Sequence, residues 1–113
     1  MNSRGAAAEA AAALFLQQQG LRIVARNWFC KLGELDLIAR DGETLVFVEV
    51  RQRASAGFGG AAASISARKR AKLVAAAQVY LQTLKVVPPC RFDAVCIDGG
   101  RLEWLKNCID ASR

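Results

Sequence analysis

The chain has 113 residues, with 16 basic side chains against 10 acidic ones, a net charge of +6 and no histidine. That length builds one core and excludes a multi-domain enzyme. The missing histidine excludes Ser-His-Asp and Cys-His catalysis, His-ligated zinc or haem, and an imidazole switch. Alanine supplies 21 residues of a 53% hydrophobic share, and the other apolar residues still suffice for one core. With 7% aromatic and 23% charged residues, a disordered or collagen-like chain is also excluded.

Residues 3–19 read as a helix, capped by Ser3, rich in alanine and ended by Gly20. Residues 21–29 follow as a strand of branched and aromatic residues. From Gly33 to Arg40 the chain alternates Leu35, Leu37 and Ala39 against Glu34, Asp36 and Ile38, a period of two. Asp41-Gly42 signals a hairpin, and Thr44 to Arg53 is the returning strand. Residues 54–63 read as a loop, with Phe58-Gly59-Gly60 at its tip. Ser64 or Ser66 then caps a helix running to about Lys85, with Leu73, Ala76, Ala77, Tyr80, Leu81 and Leu84 as its apolar stripe. Pro88-Pro89 stops it. Arg91 to Asp98 and Arg101 to Cys108 form a last hairpin around Gly99-Gly100. The expected class is α/β: a mixed sheet of about five strands flanked by helices, in the order αβββαββ, with residues 1–113 as a single domain.

Cys30, Cys90, Cys96 and Cys108 show neither a CxxC pair nor a zinc spacing, so free thiols in a reducing cytoplasm are expected. Met1-Asn2-Ser3-Arg4 and the alanines after it lack the layout of a signal peptide. The uncharged stretches are too short or too rich in glutamine to span a membrane.

The positive charge is concentrated. Residues 50–92 hold eight basic side chains (Arg51, Arg53, Arg68, Lys69, Arg70, Lys72, Lys85 and Arg91) and no acid. Such a segment attracts phosphate backbones, and the alternative is a solvated charged face. Opposite it in character stand Glu34, Asp36 and Glu49. On strand 44–53, Leu45, Phe47, Glu49, Arg51 and Arg53 share one face, and Val46, Val48 and Val50 the other, which should meet a helix. A two-residue hairpin loop pairs residue 40 with 43 and sets Asp36 diagonal to Glu49. A four-residue loop pairs 40 with 45 and sets Asp36 opposite Glu49. Either register leaves the two acids on one face as neighbours. Adjacent carboxylates repel, and a hard divalent cation with oxygen ligands, magnesium or manganese, would resolve the repulsion. The bland alternative is a surface hairpin whose acids pair with Arg40, Arg51 or Arg53. Glu9 is the only acid of the first helix, and its alanine neighbours would let the backbone approach another element and bring Glu9 to the pair. An exposed glutamate near the helix N-terminus is the other reading.

Gly33-Glu34-Leu35-Asp36-Leu37-Ile38-Ala39-Arg40-Asp41-Gly42 and Leu45-Val46-Phe47-Val48-Glu49-Val50-Arg51-Gln52-Arg53 resemble the signature of the YraN-like family of small bacterial proteins. Gly5 and Glu9 ahead of Leu14-Phe15-Leu16, Asn27-Trp28, Phe58-Gly59-Gly60 and Arg91-Phe92-Asp93 extend the resemblance over nearly the whole chain. That family resembles the restriction-endonuclease-like nucleases, whose site is an Asp followed by Glu-x-Lys on the next strand, and whose junction-resolving members share a core of helix, three strands, helix, strand. The resemblance implies a single restriction-endonuclease-like domain over residues 1–113. It implies Asp36 and Glu49 as carboxylates for magnesium or manganese, and Glu9 as an assisting acid. Position 51 departs from the pattern: Arg51 stands where lysine is usual. Arginine keeps its proton and cannot serve as a base, but it can grip a phosphate bidentately. Arg53, Arg68, Lys69, Arg70 and Lys72 are candidates for phosphate contacts at a helix N-terminus.

The functional expectation is a metal-dependent endonuclease hydrolysing phosphodiester bonds in DNA, with branched or junction DNA in view and a homodimer as an option. The alternatives are a nucleic-acid-binding protein that keeps the fold and the basic surface without turnover, and an interaction module with a salt-bridged acid cluster. Leu102, Trp104 and Leu105 serve either a dimer surface or the core.

Overall fold

A computed structural model describes residues 3–53 and 65–109. The elements are α1 (Ser3–Gln18), β1 (Arg22–Cys30), β2 (Gly33–Asp41), β3 (Thr44–Arg53), α2 (Ala67–Leu81), β4 (Cys90–Asp98) and β5 (Arg101–Leu105). The order αβββαββ is the expected one. The sheet runs β1-β2-β3-β4-β5, with β3·β4 parallel and the other pairs antiparallel. The loop over 54–63, with Phe58, lies outside the described residues, as does Ser64. Ser66 is the cap of α2, its hydroxyl accepting from the Lys69 N–H.

Each helix covers one face of the sheet. Ala12, Ala13 and Leu16 of α1 pack on Leu37, Ala39, Val46, Val48 and Val95. Alanine at the contact lets the α1 backbone lie close to the strands. Leu73, Ala76 and Ala77 of α2 pack on Leu35, Ile38, Leu45, Phe47 and Phe92, with Tyr80, Leu81 and Leu84 alongside. The valine face of β3 thus meets α1, as its alternation predicts. Tyr80 closes edge-on over Trp28 (5.3 Å) and Phe47 (6.1 Å), and Phe47 stacks on Phe92 at 5.3 Å. Helix α2 ends at Leu81, short of the expected Lys85, and β5 ends at Leu105 rather than Cys108. Leu102 and Trp104 pack on the α1 side and Leu105 against Ile65, so all three serve the core.

Gly99 and Gly100 both take positive φ (54° and 91°), the backbone that a tight β4–β5 turn needs. Beneath that hairpin Asp93 is fully buried. Its two oxygens accept from Arg91 Nε (3.1 and 3.2 Å), Trp104 Nε1 (2.9 Å) and the Asn107 N–H (2.8 Å). Arg91 also reaches Asp41 at 2.9 Å, tying the β2–β3 turn to β4. The Arg91-Phe92-Asp93 run is therefore a structural clamp. The four cysteines are free thiols. Among the described residues no helix is long and apolar enough to cross a membrane.

Removing the Asp93 carboxylate strands three buried or half-buried donors. Asp93→Ala should cost about 3 kcal/mol or more and lower the melting temperature by at least about 10 °C. Glu43→Ala, on the exposed turn, should leave it unchanged; differential scanning calorimetry of both variants checks this.

Candidate active site

The β2·β3 ladder runs from Asp41↔Thr44 through Arg40↔Leu45 to Leu37↔Val48. This is the register that sets Asp36 opposite Glu49. At Asp36 the ladder gives way, and the Asp36 carboxylate accepts the Val50 N–H at 2.9 Å. A side chain has replaced a backbone carbonyl as the acceptor, so the two strands part beyond it while β3 stays paired to β4 as far as Arg53↔Asp98.

Beside the parting, the alternation of both β2 and β1 breaks. Leu35 packs with Ile38 on the α2 side, whereas Leu37 and Ala39 face α1. The expectation that Leu35, Leu37 and Ala39 share one face is corrected: the alternation breaks at Asp36. Its neighbour in β1 by register is Asn27, between the pairs Arg26↔Leu37 and Trp28↔Leu35. Asn27 has φ +52°, a left-handed backbone that asparagine tolerates better than most residues. Ala25 and Trp28 consequently lie on the same side of β1.

A cleft of about 260 Å³ opens where the strands separate, lined by Ala8, Glu9, Asp36, Glu49, Arg51 and Lys69. Glu49 is 2% exposed. Its Oε2 faces Arg51 Nη1 at 3.4 Å and Lys69 Nζ at 3.5 Å. Its Oε1 is buried and has no hydrogen-bond partner among the described residues. A buried carboxylate oxygen without a donor is costly unless something is bound there. Burial above all, then the charge of Asp36 and a hydrogen bond shared with it, push the Glu49 carboxyl up to about 8, against the weaker pull of Lys69 and Arg51. Two crowded carboxylates with one orphaned oxygen form the hard, all-oxygen donor set suited to magnesium or manganese, which take one or two carboxylates and complete the shell with water and phosphate.

Glu9 reaches this cleft from α1, with Ala8 giving it room. Burial, followed by the charge of Asp36, raises its carboxyl above the ordinary value, and the Asn27 side chain bonds it and opposes the rise. Among the described residues no three acidic or thiol side chains converge as metal ligands. The cleft gathers a pair of acids, Asp36 and Glu49, with Glu9 beside them.

The basic candidates separate. Lys69 lies in the cleft, Lys72 lines a neighbouring groove, and Arg68 is exposed on the first turn of α2. Arg70 bonds the Ile65 carbonyl and lines a different cavity of about 580 Å³, with no acid among its described lining residues. The Arg53 side chain lies outside the described residues. The ion pair of Lys69 with Glu49 is invisible to sequence spacing, since twenty residues separate them. One signal was present: four cations crowd the start of α2, where the helix dipole disfavours them.

The family model described as "Uncharacterised protein family UPF0102" matches residues 8–97. The chain is 58% identical over 111 residues to a UPF0102 protein of Cupriavidus taiwanensis, covering 96% of this chain and 84% of that one. It is 53% identical over 107 residues to one of Janthinobacterium sp. (strain Marseille), covering 95% and 87%. It is 53% identical over 114 residues to one of Pseudomonas fluorescens, covering 95% and 93%.

The raised Glu49 carboxyl has a sign that can be measured. Between the unfolded value of 4.5 and about 8 the unfolded chain loses this proton while the folded chain retains it, so this group's contribution to stability falls as pH rises. In chelator, Glu49→Gln should match wild type near pH 4.5 and gain on it up to pH 8. The expected gain there is at least about 4 °C, equivalent to about 1 kcal/mol; thermal unfolding at the two pH values decides it.

Proposed function

We propose that this chain, which belongs to the uncharacterised protein family UPF0102, is a divalent-metal-dependent endonuclease that hydrolyses phosphodiester bonds in DNA. The observation that carries the reading is Glu49: a buried carboxylate beside a second one, with two cations near one oxygen and, among the described residues, no hydrogen-bond partner on the other. Structural acids are satisfied, as Asp93 is. An acid kept incompletely satisfied belongs with chemistry.

Asp36 and Glu49 would hold magnesium or manganese. When bound, that cation supplies Lewis acidity to the phosphodiester and makes water more acidic. Asp36 is fixed by its bond to the Val50 N–H, so its remaining oxygen has little freedom to turn away. Lys69 offers the compact ammonium that the resemblance places at position 51, delivered from α2 instead of β3. Arg51 presents a fork of donors for the phosphate oxygens and offsets the charge that grows on them. Glu9 orders the mouth of the cleft through Asn27. The basic start of α2 would draw the backbone in.

Arg51 favours a second reading, a nucleic-acid-binding protein of the same fold without turnover. One set of measurements separates the two. Calorimetry should record manganese or magnesium binding that disappears in Asp36→Asn and Glu49→Gln. Cleavage of branched or nicked DNA should then depend on the metal, and fall about 100-fold or more in Lys69→Ala. Arg51→Lys should retain or raise it. Salt-sensitive DNA binding without metal uptake or cleavage would establish the second reading.

A further inference from the structure

Among the described residues, only Asn27 and Asn107 combine a side chain with a left-handed backbone. The fold accounts for Asn107, whose N–H donates to buried Asp93 at 2.8 Å. Asn27 is exposed, so packing gives no reason for its φ of +52°. Its place is set by its neighbours. Trp28 closes on Tyr80 at 5.3 Å on the α2 side, and Ala25 lies on that side too. Two residues stand between them where alternation allows one, and the left-handed turn at Asn27 absorbs the extra one. By register Asn27 lies beside Asp36, where β2 parts from β3. Its side chain hydrogen-bonds Glu9, the acid that α1 brings to the same cleft. A carboxylate only accepts, so the Nδ2 end of the carboxamide is the donor.

Two demands meet at position 27, and few residues satisfy both. A left-handed backbone suits glycine, asparagine and aspartate. Glycine would satisfy the backbone and offer no donor. Aspartate would add a negative charge where those of Asp36 and Glu34 already press on Glu9. Lysine or arginine would strain the backbone and set a cation against any metal drawn to the carboxylates. Asparagine supplies a donor without charge. Glu9 needs one, because the Arg26 guanidinium answers the neighbouring acids only weakly. Without a fixed partner, that repulsion turns a flexible glutamate toward solvent.

We propose that Asn27 is a positioning residue: its left-handed backbone aims a neutral donor at Glu9 and holds that carboxylate facing Asp36 and Glu49. Glu9 there accepts hydrogen bonds from water in the cleft and adds to the negative field that a divalent cation meets. The strain at Asn27 is retained for this task. This inference rests on the metal-dependent reading, and one half of its test needs no metal.

In chelator, the carboxamide protons of Asn27 report the contact by NMR. Glu9→Gln should shift them, because the acceptor loses its charge; unmoved signals overturn the contact and the proposal. Manganese calorimetry reads the consequence. Glu9→Gln and Asn27→Gly should each weaken binding about tenfold, the low end for groups that stand behind metal ligands. The double variant should be no weaker than either single one, since both changes take the same acid from the cleft. Asn27→Gly should melt no lower than wild type, because glycine adopts the left-handed backbone without a steric cost. Wild-type affinity in Asn27→Gly, or a further tenfold loss when it is added to Glu9→Gln, overturns the positioning role and leaves the nuclease reading standing. No manganese binding by wild type, alone or with DNA present, overturns both.

Discussion

A single hydrogen bond, from the Val50 N–H to the Asp36 carboxylate, sets the geometry on which the site depends. An antiparallel pair normally satisfies each inward N–H with a carbonyl of the neighbouring strand. When a side chain takes that place the strands separate, and the separation opens a cleft in what would otherwise be sheet interior. The reversal of Leu35, the left-handed Asn27 beside it and the approach of Glu9 all follow from the same parting.

The two most deeply buried acids have opposite environments, and the contrast separates structure from function. Asp93 accepts from Arg91, Trp104 and the Asn107 backbone, so its charge is matched and its lone pairs are used. It fastens the β4–β5 end of the sheet to the β2–β3 turn through Arg91 and Asp41. Glu49 is nearly as buried, yet one oxygen has no hydrogen-bond partner among the described residues and a second carboxylate lies beside it. Folding alone gives no reason to retain such a group, because an apolar residue of similar size would be more stable there.

A second local rule is broken close by. The first turns of α2 carry Arg68, Lys69, Arg70 and Lys72 and no acid, against the dipole of the helix. Ser66 caps the helix and satisfies an N–H that the cations cannot. Lys69 points to Glu49, Lys72 lines the neighbouring groove, and Arg70 bonds the chain that leads into the helix. One basic run thus divides among three tasks. Breaches of local preference gathered at one end of a fold mark where other demands have shaped it.

Much of this was legible in the amino-acid order. Alternation and turn residues predict the seven elements in their order, and the parity of a tight hairpin brings Asp36 to Glu49, because strand periodicity and turn chemistry act between near neighbours. The alanines around Glu9 allow a close approach, since size is a property of the residue itself, but the order of residues allows an exposed glutamate equally well. The break at Asp36 was not legible, since Leu35, Leu37 and Ala39 keep a regular period in sequence while the strand turns over in space. Nor was the placement of Lys69 on Glu49, or the missing partner of Glu49 Oε1. Those depend on where α2 lands on the sheet, how deeply that landing buries a carboxylate, and which donors fall within reach. Burial and long-range contact arise only when the chain is packed, so the sequence by itself determined which groups could meet, and the tertiary structure decided which of them were left unsatisfied.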